Sequence, residues 1–250
     1  MSFAQTTPST TPSATSAPRQ FFELRRYHLT NGPQTALAEA FFAKALIPAL
    51  NRLGLSPIGA FRLDVGPETP SFYLLIPAAS AEALVTAEIH LANDGQFLAA
   101  AQPFWAAPAT APPFIRVESS LMIAFEGWPK LTPPRQGTTG KRIFQLRTYE
   151  SPSPAAHIRK VEMFHHGEFD IFAKSGFTQV FYGDTLIGGH LPNLTYLLAF
   201  SDQADLDACW ARFRTDPAWA KLSHDPRYSY EEIVSNITNL ILTPLPSSQI

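Results

Sequence analysis

The chain has little of what usually announces a function. Cys209 is its single cysteine in 250 residues, which excludes an internal disulfide and leaves buried packing as the expected role of that thiol. Charge is sparse and balanced: 19 Lys and Arg face 21 Asp and Glu, for a formal net charge of -2. Such a balance gives no broad attraction to a phosphate backbone, so no nucleic-acid partner is expected. Pro, Gly or charge interrupts every apolar stretch before the roughly 20 residues that a membrane-spanning helix needs, and no transmembrane segment is expected. Residues 1–20 are crowded with Ser, Thr, Pro and Ala and lack the basic start and apolar middle of a signal peptide. That composition cannot offset the entropy lost on ordering. It reads as a disordered tail on a cytoplasmic protein, with a spacer left after removal of a signal as the exported alternative.

What is present is internal correspondence. Phe22-Glu23-Leu24-Arg25-Arg26-Tyr27 returns 122 residues later as Phe144-Gln145-Leu146-Arg147-Thr148-Tyr149. Gly54-Leu55 returns as Gly176-Phe177, and Asp94 with Phe97 returns as Asp216 with Trp219, at the same offset. The pattern predicts two modules, 21–126 and 142–250, joined by a linker over 127–141 that is rich in Gly and Pro. Within each module, alternating and periodic apolar positions give the order βαββαβ. In the first, a strand over 21–29 leads to a helix over 34–52 in which Pro48 is expected to kink the last turns, then two strands, a helix over 81–102 interrupted near Asn93-Asp94-Gly95, and a strand over 119–125. In the second, a strand over 143–149 leads to a helix over 157–174, the strands 177–182 and 194–200, a helix over 202–213 and a last strand over 237–242. Gly183 to His190 reads as a flexible hairpin, and Asp216-Pro217 as a helix start that places Trp219 against the sheet. The fold class expected is α+β: two tandem ferredoxin-like modules that set sheet against sheet or close into one shared pseudo-symmetric barrel.

These residues resemble the NIPSNAP domain, within the dimeric α+β barrel superfamily, in two tandem copies. The clearer half is the second, through Phe144 to Tyr149, Gly176-Phe177, Leu194 to Phe200, Trp210-Ala211-Arg212-Phe213 and Asp216-Pro217-Ala218-Trp219. The first half keeps Phe22 to Tyr27 and Leu53-Gly54-Leu55 but diverges at Asp94-Gly95-Gln96-Phe97. The resemblance implies paired ferredoxin-like modules and supplies no agreed catalytic residues or cofactor. Members of the family are associated with vesicle, mitochondrial or protein-interaction roles, and its bacterial members are mostly uncharacterised. The wider superfamily includes cofactor-independent monooxygenases, haem-handling proteins and isomerases, analogies of fold that do not fix function.

The residues themselves offer a few polar constellations. Arg147 and Tyr149, two apart on one strand, share a face, as do Arg25 and Tyr27. Arg147 could hold a carboxylate or enolate with Tyr149 donating beside it; the alternative is an ion pair of Arg147 with Glu162 or Glu168 while Tyr149 fills the core. His165 with Glu162, at i,i+3 spacing, is the acid-base pair to test. His190 stands where it could close a pocket entrance. Adjacent His165 and His166 do not share a helical face, and His157 lacks i,i+4 spacing to either, so no metal site is assigned. No cofactor motif appears: the glycines of 183–190 have neither phosphate-loop nor dinucleotide spacing. Trp128 in the linker is expected to plug against its surroundings.

The leading expectation is therefore a scaffold or interaction protein. The alternatives are a small-molecule enzyme, such as a cofactor-independent monooxygenase or isomerase acting on a carbonyl-containing or aromatic metabolite, and non-catalytic binding of a small anionic or aromatic ligand. Sheet edges and a Phe-rich helix (Phe164, Phe169, Phe172) that need cover point to a homodimer.

Overall fold

The computed structural model describes residues 18–134 and 142–250; residues 1–17 of the expected tail and 135–141 of the expected linker lie outside the described residues. Eight strands occur among the described residues: β1 (Phe21–His28), β2 (Gly59–Val65), β3 (Ser71–Ala78), β4 (Arg116–Ala124), β5 (Ile143–Glu150), β6 (Thr178–Ile187), β7 (Asn193–Phe200) and β8 (Asn236–Pro244). Each pairs antiparallel with two neighbours in the closed order β1-β3-β2-β8-β5-β7-β6-β4.

This corrects the expectation of two tandem ferredoxin-like modules. β2 pairs with β8, Leu63 opposite Leu242, and β4 pairs with β6, Ala124 opposite Gly183, so neither half keeps a sheet of its own. The chain is one α+β domain built on one closed barrel. A four-stranded sheet alone would leave two unpaired edges and one bare apolar face, and joining the edges removes both liabilities at once. The interior is shared: Phe22 meets Phe181 at a ring distance of 5.1 Å, and Phe61 meets Phe144 at 4.8 Å. With the edges closed inside one chain, the edge-cover argument for a homodimer falls away, and the barrel is not a dimeric one.

Strand parity divides the side chains into layers. Phe22, Phe61, Leu75, Met122, Phe144, Leu146, Phe181 and Leu197 point inward and fill the barrel. Their neighbours in sequence point outward beneath helices, Tyr27, Phe72 and Leu74 in one core cluster and Tyr149, Leu194, Tyr196 and Leu198 in another. Arg147 and Tyr149 therefore face the helix layer and not the barrel interior.

The helices that cover these faces follow β1 and β5. Pro33–Phe41 continues through a π-helical turn, Phe42–Leu46, into Ile47–Arg52; Pro154–Met163 continues through a second, Phe164–Glu168, into Phe169–Lys174. The kink expected at Pro48 is taken up by the first π-turn, whose wider bonding pattern tolerates a residue without an N–H just beyond it. The second carries Gly167 at φ 142°, a conformation that side chains rarely adopt. The helix expected over 81–102 forms as Ala81–Val85, Ala87–Leu91 and Gly95–Trp105. Later in the chain, Gln203–Thr215 and Pro217–Ser223 meet at Asp216, whose carboxylate accepts from the Ala218 N–H at 2.7 Å and caps the second helix. The expected flexible hairpin shortens to a few residues, because Gly183 to Ile187 extend β6 along β4. Trp128 packs against Phe169 and Tyr182, and the Thr132 N–H donates to the Val180 carbonyl at 2.8 Å, so the described part of the expected linker lies against the barrel.

Candidate active site

Outside the barrel, between β5 and β8 and the helices above them, lies a cavity of about 500 Å³ whose walls include Gln145, Arg147, Tyr149, Lys160, Glu168, Trp210 and Asn239. β5 supplies the first three from its outward face. The helix Pro154–Met163 supplies Lys160, the turn at Gly167 carries Glu168, and the helix Gln203–Thr215 supplies Trp210.

Arg147 donates through an Nη to the Tyr149 hydroxyl at 2.8 Å, and its guanidinium lies 4.6 Å from the Trp210 ring and 5.3 Å from the Tyr149 ring. Among the described residues it makes no ion pair, and its Nε is buried without a hydrogen-bond partner. Burial opposes its charge, but the oxygens of Tyr196 and Tyr149, with Glu168 farther out, more than offset this and raise its pKa, so it stays a cation. The indole N–H of Trp210 donates to Gln145 Oε1 at 2.8 Å, which holds the ring over the guanidinium. Beside them, Lys160 Nζ donates to Glu168 Oε2 at 2.8 Å, with the two side chains only 4% and 3% exposed. Lys160 also sits 5.1 Å from the Tyr149 ring and 4.6 Å from the Phe164 ring. The Tyr196 hydroxyl donates to Tyr149 Oη at 3.4 Å, and burial pushes its pKa well up, which keeps it a neutral donor.

Around the Tyr149 ring the wall thus sets Arg147 and Lys160 as cations beside Glu168 as the carboxylate, and that carboxylate is taken by Lys160. Desolvating an Arg without a counter-ion is costly, and a bound anion relieves that cost while gaining charge-assisted hydrogen bonds. The cavity is accordingly suited to an oxyanion on an apolar or aromatic body.

Of the residues expected from sequence, Arg147 and Tyr149 come together here. The others lie elsewhere. His165 is exposed; its Nδ1 lies 2.9 Å from the Val161 carbonyl and must donate, so its Nε2 accepts from the Gly127 N–H at 3.0 Å. Glu162 pairs two-pronged with Arg227, which holds its carboxyl below the usual range, and the expected Glu162–His165 pair is not formed. His190 sits with its side chain 79% exposed, 3.8 Å from Glu150, at the polar mouth of the barrel. The alternative pairing of Arg147 with Glu162 or Glu168 is not formed either. No group of three metal-binding side chains occurs among the described residues. Neither Lys160 nor Trp210 stands out as a site residue in the sequence, and Glu168 enters there solely as a structural partner of Arg147. A signal was available: 122 residues earlier stand Ala38, Leu46 and Glu88 in place of Lys160, Glu168 and Trp210, so two buried charges appear where the first half is apolar.

Comparison with known proteins agrees on fold. Residues 144–249, which carry most of this site, match the family model described as NIPSNAP, and support a NIPSNAP-type fold there. No curated protein matches the chain. Among solved structures, the chain is similar to a monooxygenase candidate from Fusobacterium nucleatum, with a TM-score of 0.61 at 10% identity over 91% of this chain and 93% of that one. It is similar to another from Lactobacillus acidophilus, with a TM-score of 0.60 at 9% identity over 90% and 94% of the two chains. An anthrone oxidase-like protein aligns with a TM-score of 0.52 at 12% identity over 90% and 91%. At these identities the likeness is one of fold.

Proposed function

We propose that this chain is a small-molecule enzyme that binds an enolisable aromatic or carbonyl compound in the Arg147 cavity and oxygenates it without a cofactor. The observation that carries the reading is a half-buried Arg, its Nε buried without a hydrogen-bond partner and with no carboxylate partner among the described residues, set with a tyrosine hydroxyl on the wall of a cavity of about 500 Å³. A cavity of that size is ordinary for a small-molecule site. The names of the fold neighbours, two monooxygenase candidates and an anthrone oxidase-like protein, make oxygenation the first chemistry to test. The scaffold reading rested on the lack of a catalytic constellation in the sequence, and this cavity weighs against it.

In this reading Arg147 and Tyr149 hold the oxygen of the substrate as it becomes an enolate, which makes the neighbouring C–H more acidic. Glu168, the carboxylate paired with Lys160, accepts that proton. The carbanion passes electrons to dioxygen and a C–O bond forms; the resulting peroxide regains the proton and loses water, so that CH₂ and O₂ become C=O and H₂O. Trp210 and Tyr149 supply flat apolar surface for the ring.

The test uses the full chain, 1,8-dihydroxyanthrone and an oxygen electrode. Expected are uptake above the spontaneous rate, one O₂ per anthrone, and a fall of about 100-fold in kcat/KM for Arg147→Met with the circular dichroism unchanged. Binding of 1-naphthaleneacetate without any oxygen uptake would replace catalysis by simple ligand binding. Binding that Arg147→Met leaves untouched would remove the site.

A further inference from the structure

We propose that the cavity on the opposite side of the barrel is a second small-molecule site with the inverse charge preference, for an organic cation on an apolar body. β1 lies four strands from β5 in either direction around the closed order, so the outward face of β1 looks away from the Arg147 site. Under the first-half helices it opens into about 640 Å³, far more than a packing void and within the ordinary range of ligand sites. Phe41 and Phe104, stacked at 4.0 Å, line it together with Phe114, and the half-exposed Trp105 stands at its rim.

Its polar end is built differently from that of the Arg147 cavity. Arg25, 6% exposed, donates through Nε and one Nη to Glu23 at 2.8 and 3.1 Å, and through the other Nη to Glu88 at 2.8 Å and Tyr27 Oη at 3.4 Å. Four of the five guanidinium N–H groups are thereby used. Glu23 is fixed further by the Ser119 hydroxyl at 2.7 Å. The cluster holds two carboxylates and one cation, so an incoming anion meets like charge and few free donors. Glu88 differs from Glu23 in facing outward: its side chain is 60% exposed, and only Oε1 accepts from Arg25. An ammonium entering beside it gains a charge-assisted hydrogen bond, and the aromatic walls favour a cation over their faces.

The experiment titrates the full chain with a matched pair, 1-naphthylmethylammonium and 1-naphthaleneacetate, by calorimetry in an Arg147→Met background that removes the anion-holding guanidinium of the first cavity. The ammonium is expected to bind and the carboxylate not to bind measurably. Glu88→Gln, at an exposed position, should weaken the ammonium by about tenfold or more, and Val85→Trp at the mouth should block it. An ammonium affinity that either variant leaves unchanged, or a carboxylate that binds as well as the ammonium, would overturn the proposal.

Discussion

The two cavities on opposite sides of the barrel are a controlled comparison of one framework carrying different charges. Each centres on an arginine and a tyrosine two residues apart on a strand, Arg25 with Tyr27 and Arg147 with Tyr149, beneath helices that contain π-turns at matching positions. Around Arg25 stand Glu23 and Glu88; 122 residues on, Gln145 and Trp210 take their places. The first arginine is paired with two carboxylates of its own chain, and the second has none among the described residues. Whether an arginine here is paired depends on its two nearest neighbours and not on the strand that presents it.

The sharpest way to break this comparison is to exchange the features that separate the halves. Lys160→Met leaves Glu168 as a buried charge without its partner and should cost about 3–5 kcal/mol of stability by urea denaturation. Lys160→Ala with Glu168→Leu copies Ala38 and Leu46 and should recover most of that loss; if the double variant is no better than the single, the ion pair is not what distinguishes the second half. Next in size, Gln145→Glu copies Glu23 and gives Arg147 a carboxylate of its own. Affinity for 1-naphthaleneacetate should then fall by about 100-fold, or about 2.7 kcal/mol, and unchanged affinity would show that the missing carboxylate is not what opens the site to anions.

Individual strands were readable in the sequence, their closure into one barrel was not, and of the expected site residues Arg147 and Tyr149 stand together on one cavity wall. Alternation along Phe22 to Tyr27 and Phe144 to Tyr149 located β1 and β5 and put Arg147 and Tyr149 on one face, because side-chain parity is a local property of a strand. Which way that face points is not local. It is set by β2 meeting β8 and β4 meeting β6, pairings between residues far apart in the chain, and this is why two modules were expected where one barrel forms. Spacing on a single helix favours Glu162 with His165 as an acid-base pair. The pair that lines the cavity, Lys160 and Glu168, is eight residues apart and comes together across a π-turn that ordinary helical spacing does not anticipate.

Smaller effects sharpen the comparison further. Asp94 and Asp216 each cap a helix and each has its pKa lowered, first by a side-chain bond, to Arg52 and to Lys174 respectively, and then by backbone N–H groups. A carboxyl whose pKa is lower in the folded than in the unfolded chain contributes stability that is present above its ordinary value of 3.8 and is lost as pH falls through the folded value. Asp94→Asn and Asp216→Asn should therefore each flatten the loss of stability below about pH 4. A flattening in one variant only, followed by denaturation across acid pH, would show that the two caps are not equivalent. Smallest of all, Cys209 stands where the first half has Ala87, and burial followed by Asp205 pushes its thiol up to about 11. Iodoacetamide should label it slowly at neutral pH and quickly only in denaturant; rapid labelling of the folded chain by mass spectrometry would mean that this helix opens readily.

The closure of all eight strands within one polypeptide has a consequence for how such a protein can change. In a barrel assembled from two identical chains, every substitution appears twice, so a change that opens one cavity to anions opens the other as well. Here the seams β2–β8 and β4–β6 are internal to a single chain, and Trp210 occurs once. Covalent continuity frees each side of the barrel to take its own ligand chemistry while both share a single packed interior.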